Sequence, residues 1–442
     1  MDSIEQRMAS LGIAIPEILL PNSSINLERW AVIACDQHTA SRDYWNQVES
    51  FVGEKPSTLQ LVFPEIYLND SDKDHRIATI KNTMTRYLED GVFAEPSATA
   101  VYLERDTGRV TPRRGLILSF DLEQYDYSPD SDSLIRATEG TILDRIPPRM
   151  DIRRGAPLES PHIMVLVDDP EHSVMAPWRE TPTTPGRELL YETQLMSGGG
   201  HIKGYRVGEA ELRSVIDALE ALQAPERLAQ RYGAGGRLLF AMGDGNHSLA
   251  TAKAIWEELK NKGADPEMHP ARWALAELVN LHDPALIFEP IHRVMLGMDV
   301  GRFLNAVRSC PDWEYEPTTS TLRNPPETAP EGSILMLSQT DSGILRLKDK
   351  GRLAAATAQE FLDSFSSDAA IGEQPEVDYI HGSATVASQV QQHNAVGLIL
   401  PEFDKNGLFR TVAREGTLPR KSFSMGVAAE KRYYLECRKI LT

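Results

Sequence analysis

The stretch FAMGDGNHSLATAKAIWEEL, residues 240–259, contains an apolar run, a polar cluster and a helical pattern in succession. The cluster consists of Asp244, Asn246, His247 and Ser248, with Gly243 and Gly245 among them. Leu249, Ala252 and Trp256 then recur at helical spacing, so a helix is expected to begin at the cluster. The sequence therefore predicts a buried strand, a polar turn and a helix, in that order.

The turn between this strand and helix has the chemistry of an anion site. Backbone N–H groups at a helix start lack partners within the helix, and together with the helix dipole they attract negative charge. The simpler interpretation is an N-cap, in which Asp244, Asn246 or Ser248 only accepts a backbone N–H. A cap does not require His247, whose imidazole suits hydrogen bonding or proton transfer near neutral pH. The cluster as a whole therefore favours a functional site.

The same residues also resemble a dinucleotide fingerprint, because Gly243-x-Gly245-x-x-Ser248 approaches GxGxxG. That fingerprint requires an acidic residue at the end of a second parallel strand. Here Asp265 lies instead in a loop just after the helix. An NAD-dependent oxidoreductase is therefore only weakly supported by the sequence. The P-loop pattern and the GxSxG motif of serine hydrolases are absent from the sequence.

The composition excludes several classes of partner. The chain has 442 residues and a net charge of -18, from 46 basic and 64 acidic residues. This charge opposes nucleic-acid binding, which requires basic groups to displace counterions. The 3 cysteines have no CxxC spacing, and no apolar run approaches the roughly 20 residues of a membrane helix. We expect a cytoplasmic protein with neither nucleic-acid nor membrane partners; the sequence leaves its oligomeric state open.

The order of the predicted elements indicates an α+β fold with mixed sheets rather than a regular βαβ repeat. Residues 31–35 (AVIAC) are predicted to form a buried strand, residues 209–231 one helix, and residues 427–439 a C-terminal helix.

A glycine-rich stretch, GAGG at 233–236, marks a break in composition. We therefore predict two domains, an N-terminal α/β domain over 1–230 and a second domain over 231–442.

Residues 136–155 (RATEGTILDRIPPRMDIRRG) are basic within an acidic chain. Arg136, Arg145 and Arg149 are candidate phosphate contacts, because guanidinium groups donate paired hydrogen bonds to phosphate and carboxylate. Pairing with neighbouring acids is the alternative for any one arginine. Glu139 lies between them as a candidate base. The Pro147-Pro148 pair predicts a rigid loop rather than a helix.

Other motifs add further candidates. Asp36, in CDQH, follows a predicted strand, where α/β proteins place ligands. FEPIHRVM at 288–295 contributes His292 and Arg293, and LPRKSFSMG at 418–426 contributes Arg420 and Lys421, all as candidate substrate or anion contacts. No motif has a standard zinc spacing. We expect no metal held by protein ligands alone, and instead a Mg²⁺ near Asp244 that is held mainly by a phosphate ligand.

Five motifs together, GDGNHSLATAKA, FEPIHRVM, LPRKSFSMG, ACDQHTASRDYW and EGTILDRIPPR, resemble a bacterial family, domain of unknown function family 1015. The opening motif also resembles the DGHHR loop of free-serine kinases with a ParB/sulfiredoxin-like nucleotide-binding fold. The resemblance implies such a core in the second half of the chain and phosphate binding at this loop. Asp244, Gly245 and His247 match that motif, whereas Asn246 replaces its first His and Ser248 replaces its Arg.

The leading hypothesis is a small-molecule phosphotransferase, most concretely a free L-serine kinase that produces O-phosphoserine. The donor would be ATP, ADP or pyrophosphate with Mg²⁺, and Asp36 or Asp244 would act as base or Mg²⁺ contact. Phosphate contacts would come from the backbone of residues 245–248, from His247 and from the arginines. The loss of arginine at Ser248 keeps open a second hypothesis, a non-catalytic anion- or nucleotide-binding regulatory protein on the same fold.

Overall fold

The computed structural model describes residues 3–39, 41–108, 111–179, 187–233, 236–319, 322–350, 352–367, 376–419 and 421–441. The strands are β1 (Ile13–Ala14), β2 (Glu17–Ile18), β3 (Ser97–Ala98), β4 (Val101–Asp106), β5 (Arg113–Asp121), β6 (Tyr125–Asp126), β7 (Ile135–Arg136), β8 (Leu158–Glu159), β9 (Met164–Val167), β10 (Leu189–Leu195), β11 (Gly200–Arg206), β12 (Phe240–Asp244), β13 (Trp273–Asn280), β14 (Phe288–Pro290), β15 (His292–Leu296), β16 (Trp313–Pro317), β17 (Ser333–Leu337), β18 (Ser342–Leu347), β19 (Glu376–Ile380), β20 (Ala395–Ile399), β21 (Phe423–Met425) and β22 (Arg438–Lys439). The helices are α1 (Ile4–Ser10), α2 (Leu27–Trp30), α3 (Arg42–Val52), α4 (Lys73–Glu89), α5 (Ile146–Arg153), α6 (Glu209–Gln223), α7 (Pro225–Tyr232), α8 (Asn246–Asn261), α9 (Val300–Ser309), α10 (Ala354–Ser367), α11 (Ser383–Gln392) and α12 (Leu408–Glu415). Within these ranges, none of the helices combines the length and the apolar character that crossing a membrane requires.

The described chain forms two compact units. The first comprises Met1–Leu286, Leu408–Thr417 and Gly426–Thr442, and the second comprises Ile287–Gly407 and Leu418–Met425. The predicted boundary at about residue 230 does not coincide with this division. β12 and β13 follow that boundary in sequence, yet they pair with β9 and β5 of the preceding segment. The predicted α+β class is confirmed by this mixture of helices and mixed sheet.

The first unit is built on one large mixed sheet. Its strand order is β10-β11-β4-β5-β13-β9-β12-β7-β6, and β1 pairs with β5 in addition. β9 runs parallel to β13 and antiparallel to β12, and β12 runs parallel to β7. The strand that carries the opening motif therefore lies inside the sheet, with a neighbour on each side.

Both faces of this sheet are covered, as the alternation of side chains in β5 shows. Leu116, Leu118 and Phe120 pack into one hydrophobic cluster, whereas Ile117 packs into another. Successive side chains of a strand point to opposite faces, so the two clusters are the cores on the two sides of the sheet. α8 packs its buried Trp256 into the first of these cores.

Three predicted elements differ in the structure. Residues 31–35 are largely buried as expected, but they make only an isolated bridge, Ile33 with Tyr433, and no strand. The helix predicted over 209–231 is two helices, since Pro225 begins α7 and cannot donate the N–H that a continuous helix needs. The predicted C-terminal helix is absent from residues 431–437, because this segment is extended and buried against residues 32–34.

The rigid loop predicted from Pro147 and Pro148 is also wrong, since these residues open helix α5. Proline is tolerated in the first turn of a helix, where its missing N–H would have had no partner. α5 packs against α8, and Arg154 just after α5 forms a 3.0 Å ion pair with Glu258. The arginine-rich segment is thereby attached to the helix that follows the polar turn.

The second unit contains an antiparallel sheet of order β16-β18-β17-β20-β15-β19 and a separate pair, β14 with β21. β17 and β18 form an antiparallel hairpin. α9 and α10 contribute Phe303 and Leu362 to one cluster of this unit, and α11 contributes Val386 to another.

Candidate functional site

The polar turn has the geometry of an open helix start. β12 ends at Asp244, and Gly245 occupies the N-cap position with φ 81° and no side-chain cap for the helix. A residue with a Cβ would be strained at this φ, and its Cβ would lie 3.1 Å from the Cα of Ile163. The cap interpretation, in which a side chain satisfies the first turn, is therefore not what this turn adopts. The N–H groups of the first turn are the ones that a helix cannot satisfy internally.

Asp244 fixes the backbone of this turn and pairs with a distant lysine. Its Oδ1 accepts the N–H of Gly245 at 3.0 Å, and its Oδ2 lies 3.0 Å from Nζ of Lys431. The Lys431 side chain is only 9% exposed, so its charge lies in a partly desolvated environment beside the turn. Such a charge acts more strongly on an anion than an exposed lysine does.

His162, two residues before β9, also contacts the polar turn. The Nε2 of His162 lies 3.0 Å from Oγ of Ser248 and 3.5 Å from Oδ2 of Asp36. Its Nδ1 lies 2.7 Å from the hydroxyl of Tyr434, which also accepts the N–H of Cys35 at 3.0 Å. Asp36, His162 and Ser248 thus form a continuous polar chain that ends on the first turn of α8.

The protonation states of Asp36 and His162 follow from their contact with each other. Burial alone would lower the pKa of His162, but the Asp36 carboxylate outweighs burial, and the pKa is raised above its ordinary value. Burial would in turn raise the pKa of Asp36, but His162 holds that pKa well below its ordinary value. The pairing therefore favours an imidazolium beside a carboxylate. Asp244 also raises the pKa of His162, and Lys431 also lowers the pKa of Asp36.

The C-terminal segment is held where Lys431 and Tyr434 can reach the turn. Arg432 is buried, lies 2.9 Å from Glu277 in β13, and donates to the carbonyl of Pro161 at 3.1 Å. The N–H of Tyr434 donates to Val32 O at 2.8 Å. Segments around residues 33, 162 and 433 therefore converge, although they are remote in sequence.

A cavity of about 150 Å³ opens beside this polar chain. His162, Ser248 and Tyr434 line it, together with Cys35, Glu65 and Arg149. Arg149 pairs with Glu65, whose N–H donates to the carbonyl of Cys35 at 2.8 Å. The predicted phosphate contact at Arg149 therefore lines the same cavity as Ser248, but its guanidinium is already engaged by a carboxylate.

His247 faces the arginine-rich segment rather than His162. Its Nε2 accepts the N–H of Ile142 at 3.3 Å, which places the ring proton of the neutral form on Nδ1. The carbonyl of His247 accepts Oγ1 of Thr251 at 2.7 Å, one turn further along α8. Among the described residues, two oxygens near this contact, Oδ1 of Asn246 and Oγ1 of Thr141, are buried with no hydrogen-bond partner. Buried polar atoms of this kind are candidates to meet a ligand.

The remaining predicted residues of the arginine-rich segment have separate positions. Arg136 is buried in β7 and donates to Ser133 O at 2.9 Å and to Asp132 at 2.8 Å. Arg145 is exposed, and its carbonyl accepts from Arg149 at 2.7 Å. Glu139 is half-buried in the segment that follows β7. Of the three predicted arginines, Arg149 alone lines the cavity.

The predicted candidates of the second unit are built into its interior. His292 is fully buried, its Nδ1 accepts the N–H of Leu400 at 3.1 Å, and burial lowers its pKa to about 4. A neutral, buried imidazole does not fit the anion contact predicted for it. Arg293 is also buried, donates to the carbonyl of Lys421 at 2.8 Å and lies over the ring of Tyr379. Arg420 lies outside the described residues.

His162, Lys431, Tyr434 and Glu65 were not predicted as site residues. For His162 a signal was present, since it is the first residue of the apolar run HIMVLVD at residues 162–168, which is typical of a buried strand. Lys431 and Tyr434 were not found because residues 427–439 were predicted to form a helix. In a helix these two side chains would point in other directions than they do in the extended segment.

The side chains of the site can hold Mg²⁺ only if most of its ligands come from a bound phosphate and from water. Among the described residues, no three His, Cys, Asp or Glu side chains are grouped as metal ligands. Asp36 and Asp244 supply two carboxylates around His162. Mg²⁺ commonly binds one or two carboxylates and takes its remaining ligands from phosphate oxygens and water. These two residues would hold such an ion.

The fold and this site define a mixed α+β protein with an uncapped helix start beside a cavity. The sequence model of the family described as "Protein of unknown function (DUF1015)" matches residues 19–367. The chain belongs to this family.

No curated protein matches the sequence. Solved structures that are similar to the chain include a free serine kinase in complex with AMP, with 8% identity and a TM-score of 0.39 over 73% of this chain and 92% of that one. A conserved hypothetical protein from Pyrococcus furiosus has 9% identity and a TM-score of 0.36 over 72% and 93%. C-terminally truncated SbnI from Staphylococcus aureus has 10% identity and a TM-score of 0.36 over 70% and 82%. All three likenesses are distant.

Proposed function

We propose that the chain is a small-molecule phosphotransferase, most concretely a free L-serine kinase that produces O-phosphoserine. The observation that carries the proposal is the convergence at Ser248. Its backbone belongs to the uncapped first turn of α8, and its Oγ contacts the ionised pair of His162 and Asp36 beside a cavity. An anion-binding turn, a cation and a base thus lie within one small volume.

Phosphoryl transfer depends mainly on positioning and on charge neutralisation, and these residues supply both. The first-turn N–H groups and the His162 imidazolium would contact oxygens of the transferred phosphoryl group. Asp36 would accept the proton of the attacking hydroxyl while the new O–P bond forms and the bond to the donor breaks. The ammonium of Lys431 would neutralise part of the negative charge of the donor phosphates beside Asp244. His247 would position the arginine-rich segment through Ile142.

The donor site departs from the kinase-type loop at Ser248, where the resemblance implies an arginine. In this chain Ser248 contacts His162, so the imidazolium would take the place of the missing guanidinium as the cation. Pyrophosphate, ADP or ATP would be the donor, on the ParB/sulfiredoxin-like core that the resemblance implies. Mg²⁺, when bound by Asp36 or Asp244 and the donor, would supply further neutralisation of phosphate charge.

The test is product formation. Purified protein is mixed with L-serine, Mg²⁺ and ATP, ADP or pyrophosphate in turn, and O-phosphoserine is quantified by mass spectrometry. We expect phosphoserine with at least one donor, and its loss in Asp36→Asn. If no donor gives phosphoserine, the serine kinase proposal is wrong.

One observation favours the alternative, a non-catalytic anion-binding regulatory protein. Ser248 occupies the position of the arginine in the kinase-type loop, and Lys431 and Arg149 are paired with Asp244 and Glu65. Less positive charge is therefore available to neutralise a transferred phosphoryl group, while the open first turn of α8 still suits an anion. A thermal-shift panel separates the two functions. Stabilisation by a nucleotide or pyrophosphate without turnover of any hydroxyl acceptor supports the regulatory function, and stabilisation together with turnover supports the kinase.

A further inference from the structure

The cavity beside Ser248 is divided between polar and apolar walls. The polar wall is one connected set, in which Tyr434 contacts His162 and His162 contacts Ser248. The apolar wall includes Leu61, Phe63 and Met84 from one hydrophobic cluster of the first unit. A ligand that fills this cavity therefore needs a polar end and an apolar end.

The size of the cavity limits the apolar end. Its volume is about 150 Å³. A cavity of that volume accommodates a molecule of about the size of benzene. Once the head group and the hydroxyl of an acceptor occupy it, room remains for about one or two methyl groups beyond the hydroxymethyl of serine. Unfilled apolar volume forfeits contacts that a larger side group would make.

The Glu65–Arg149 pair suits a zwitterionic head group. The two side chains lie at the cavity, 20% and 14% exposed, and neutralise each other. An α-amino acid brings an ammonium for Glu65 and a carboxylate for Arg149. Inserting it replaces one ion pair by two, so neither buried charge loses its partner. The guanidinium fork matches a carboxylate in particular.

We propose that this cavity selects β-hydroxy-α-amino acids that carry about one or two methyl groups on the hydroxyl-bearing carbon. The inference rests on the proposed function and deepens it, since it makes serine the smallest member of the acceptor class. The head group pairs with Glu65 and Arg149, the hydroxyl faces His162 on the side of its contact with Asp36, and the methyl groups lie along Met84.

Binding along a graded series tests the inference without turnover. Dissociation constants for L-serine, L-threonine, 3-hydroxyvaline and 3-phenylserine are measured by isothermal titration calorimetry. Each methyl that becomes buried should tighten binding about fourfold. Threonine should therefore bind about fourfold tighter than serine, 3-hydroxyvaline tighter again, and 3-phenylserine, which exceeds the cavity volume, more weakly than 3-hydroxyvaline. Equal affinities for serine, threonine and 3-hydroxyvaline, or 3-phenylserine as the tightest ligand, would overturn the inference.

Two variants test the position of the apolar group. Ala156 is 3% exposed and lines the cavity, so Ala156→Leu fills part of it and should abolish the roughly sixteenfold preference for 3-hydroxyvaline over serine. Met84→Ala enlarges the cavity and should bring the affinity for 3-phenylserine closer to that for 3-hydroxyvaline. Ala78→Leu, at an exposed position of the helix that carries Met84, is the matched control and should leave the series unchanged. Melting temperatures establish that each variant is folded; should Ala156→Leu not fold, the wild-type series and Met84→Ala still decide.

The outcomes separate this inference from the proposed function. A graded affinity series with no phosphorylated product from any acceptor and donor upholds the cavity inference and contradicts the kinase. Phosphoserine formation with a flat affinity series upholds the kinase and contradicts the cavity inference. A preference that Ala156→Leu does not change, in a folded variant, overturns the placement of the apolar group.

Discussion

The ionised pair of His162 and Asp36 makes anion binding dependent on pH, and His162→Gln is the change that tests it. The separation of 3.5 Å corresponds to an attraction of about 5 kcal/mol at an effective dielectric constant of 20. This figure is an upper one, because a quarter of the Asp36 side chain is exposed to water. The attraction opposes the effect of burial and raises the pKa of His162 above its ordinary value. The imidazolium therefore persists to a higher pH than that of an unpaired histidine.

The expected size of the effect follows from the contact that is lost. One hydrogen bond from a charged donor contributes about 1.5–3 kcal/mol, which corresponds to roughly a tenfold to hundredfold change in affinity. Sulfate is a suitable probe, because its charge does not change between pH 5 and pH 9. We expect wild-type affinity for sulfate to fall by about that factor as pH rises through the raised pKa of His162. In His162→Gln, affinity should be low and nearly independent of pH.

Isothermal titration calorimetry with sulfate across that pH range measures both curves. The matched control is His75→Gln, an exposed histidine of α4, which should retain the wild-type pH dependence. A wild-type affinity that does not change with pH, or a His162→Gln protein that keeps the wild-type curve, would refute this account of the site.

Three further predictions concern stability and the turn. Because the pKa of His162 is raised in the native state, that state binds the His162 proton more tightly than the unfolded state does. The pair should therefore stabilise wild type over His162→Gln below about pH 6.5. Urea unfolding should show this difference in stability disappearing as pH rises through the native pKa, and a difference that stays constant with pH would contradict the prediction. Gly245→Ala should lower the unfolding free energy by about 1–2 kcal/mol for its left-handed φ and should weaken sulfate binding, whereas unchanged urea unfolding and sulfate titrations would argue against the turn geometry. His247→Ala should abolish turnover and lower the unfolding free energy by only about 1 kcal/mol, the contribution of one neutral hydrogen bond, because its half-buried imidazole accepts the N–H of Ile142; a larger loss of stability with activity intact would make the histidine structural.

The sequence predicted the parts of the fold that depend on local pattern. β12, the polar turn and α8 were predicted because the period of the apolar residues changes at residues 244–246. α5 was missed because proline was taken as a helix breaker, although the first turn of a helix tolerates it. The C-terminal segment was wrong for a different reason. Its apolar residues are buried by pairing with residues 32–34, a contact that no local pattern reveals.

The candidate site was predicted in part for the same reason. Asp36, Asp244 and Ser248 were recognised because polar residues at strand ends and helix starts form a local signal. His162 and Lys431 were not, because their roles arise from contacts between segments more than 80 residues apart in the chain. The charge of His162 depends on Asp36, and no spacing in the sequence links the two.

The most direct test of the central claim is a crystal structure of the protein soaked with pyrophosphate and Mg²⁺. The account predicts phosphate oxygens within hydrogen-bond distance of backbone N–H groups in the first turn of α8 and of Nε2 of His162. Pyrophosphate bound elsewhere, with this turn vacant in a protein that forms phosphoserine, would contradict it.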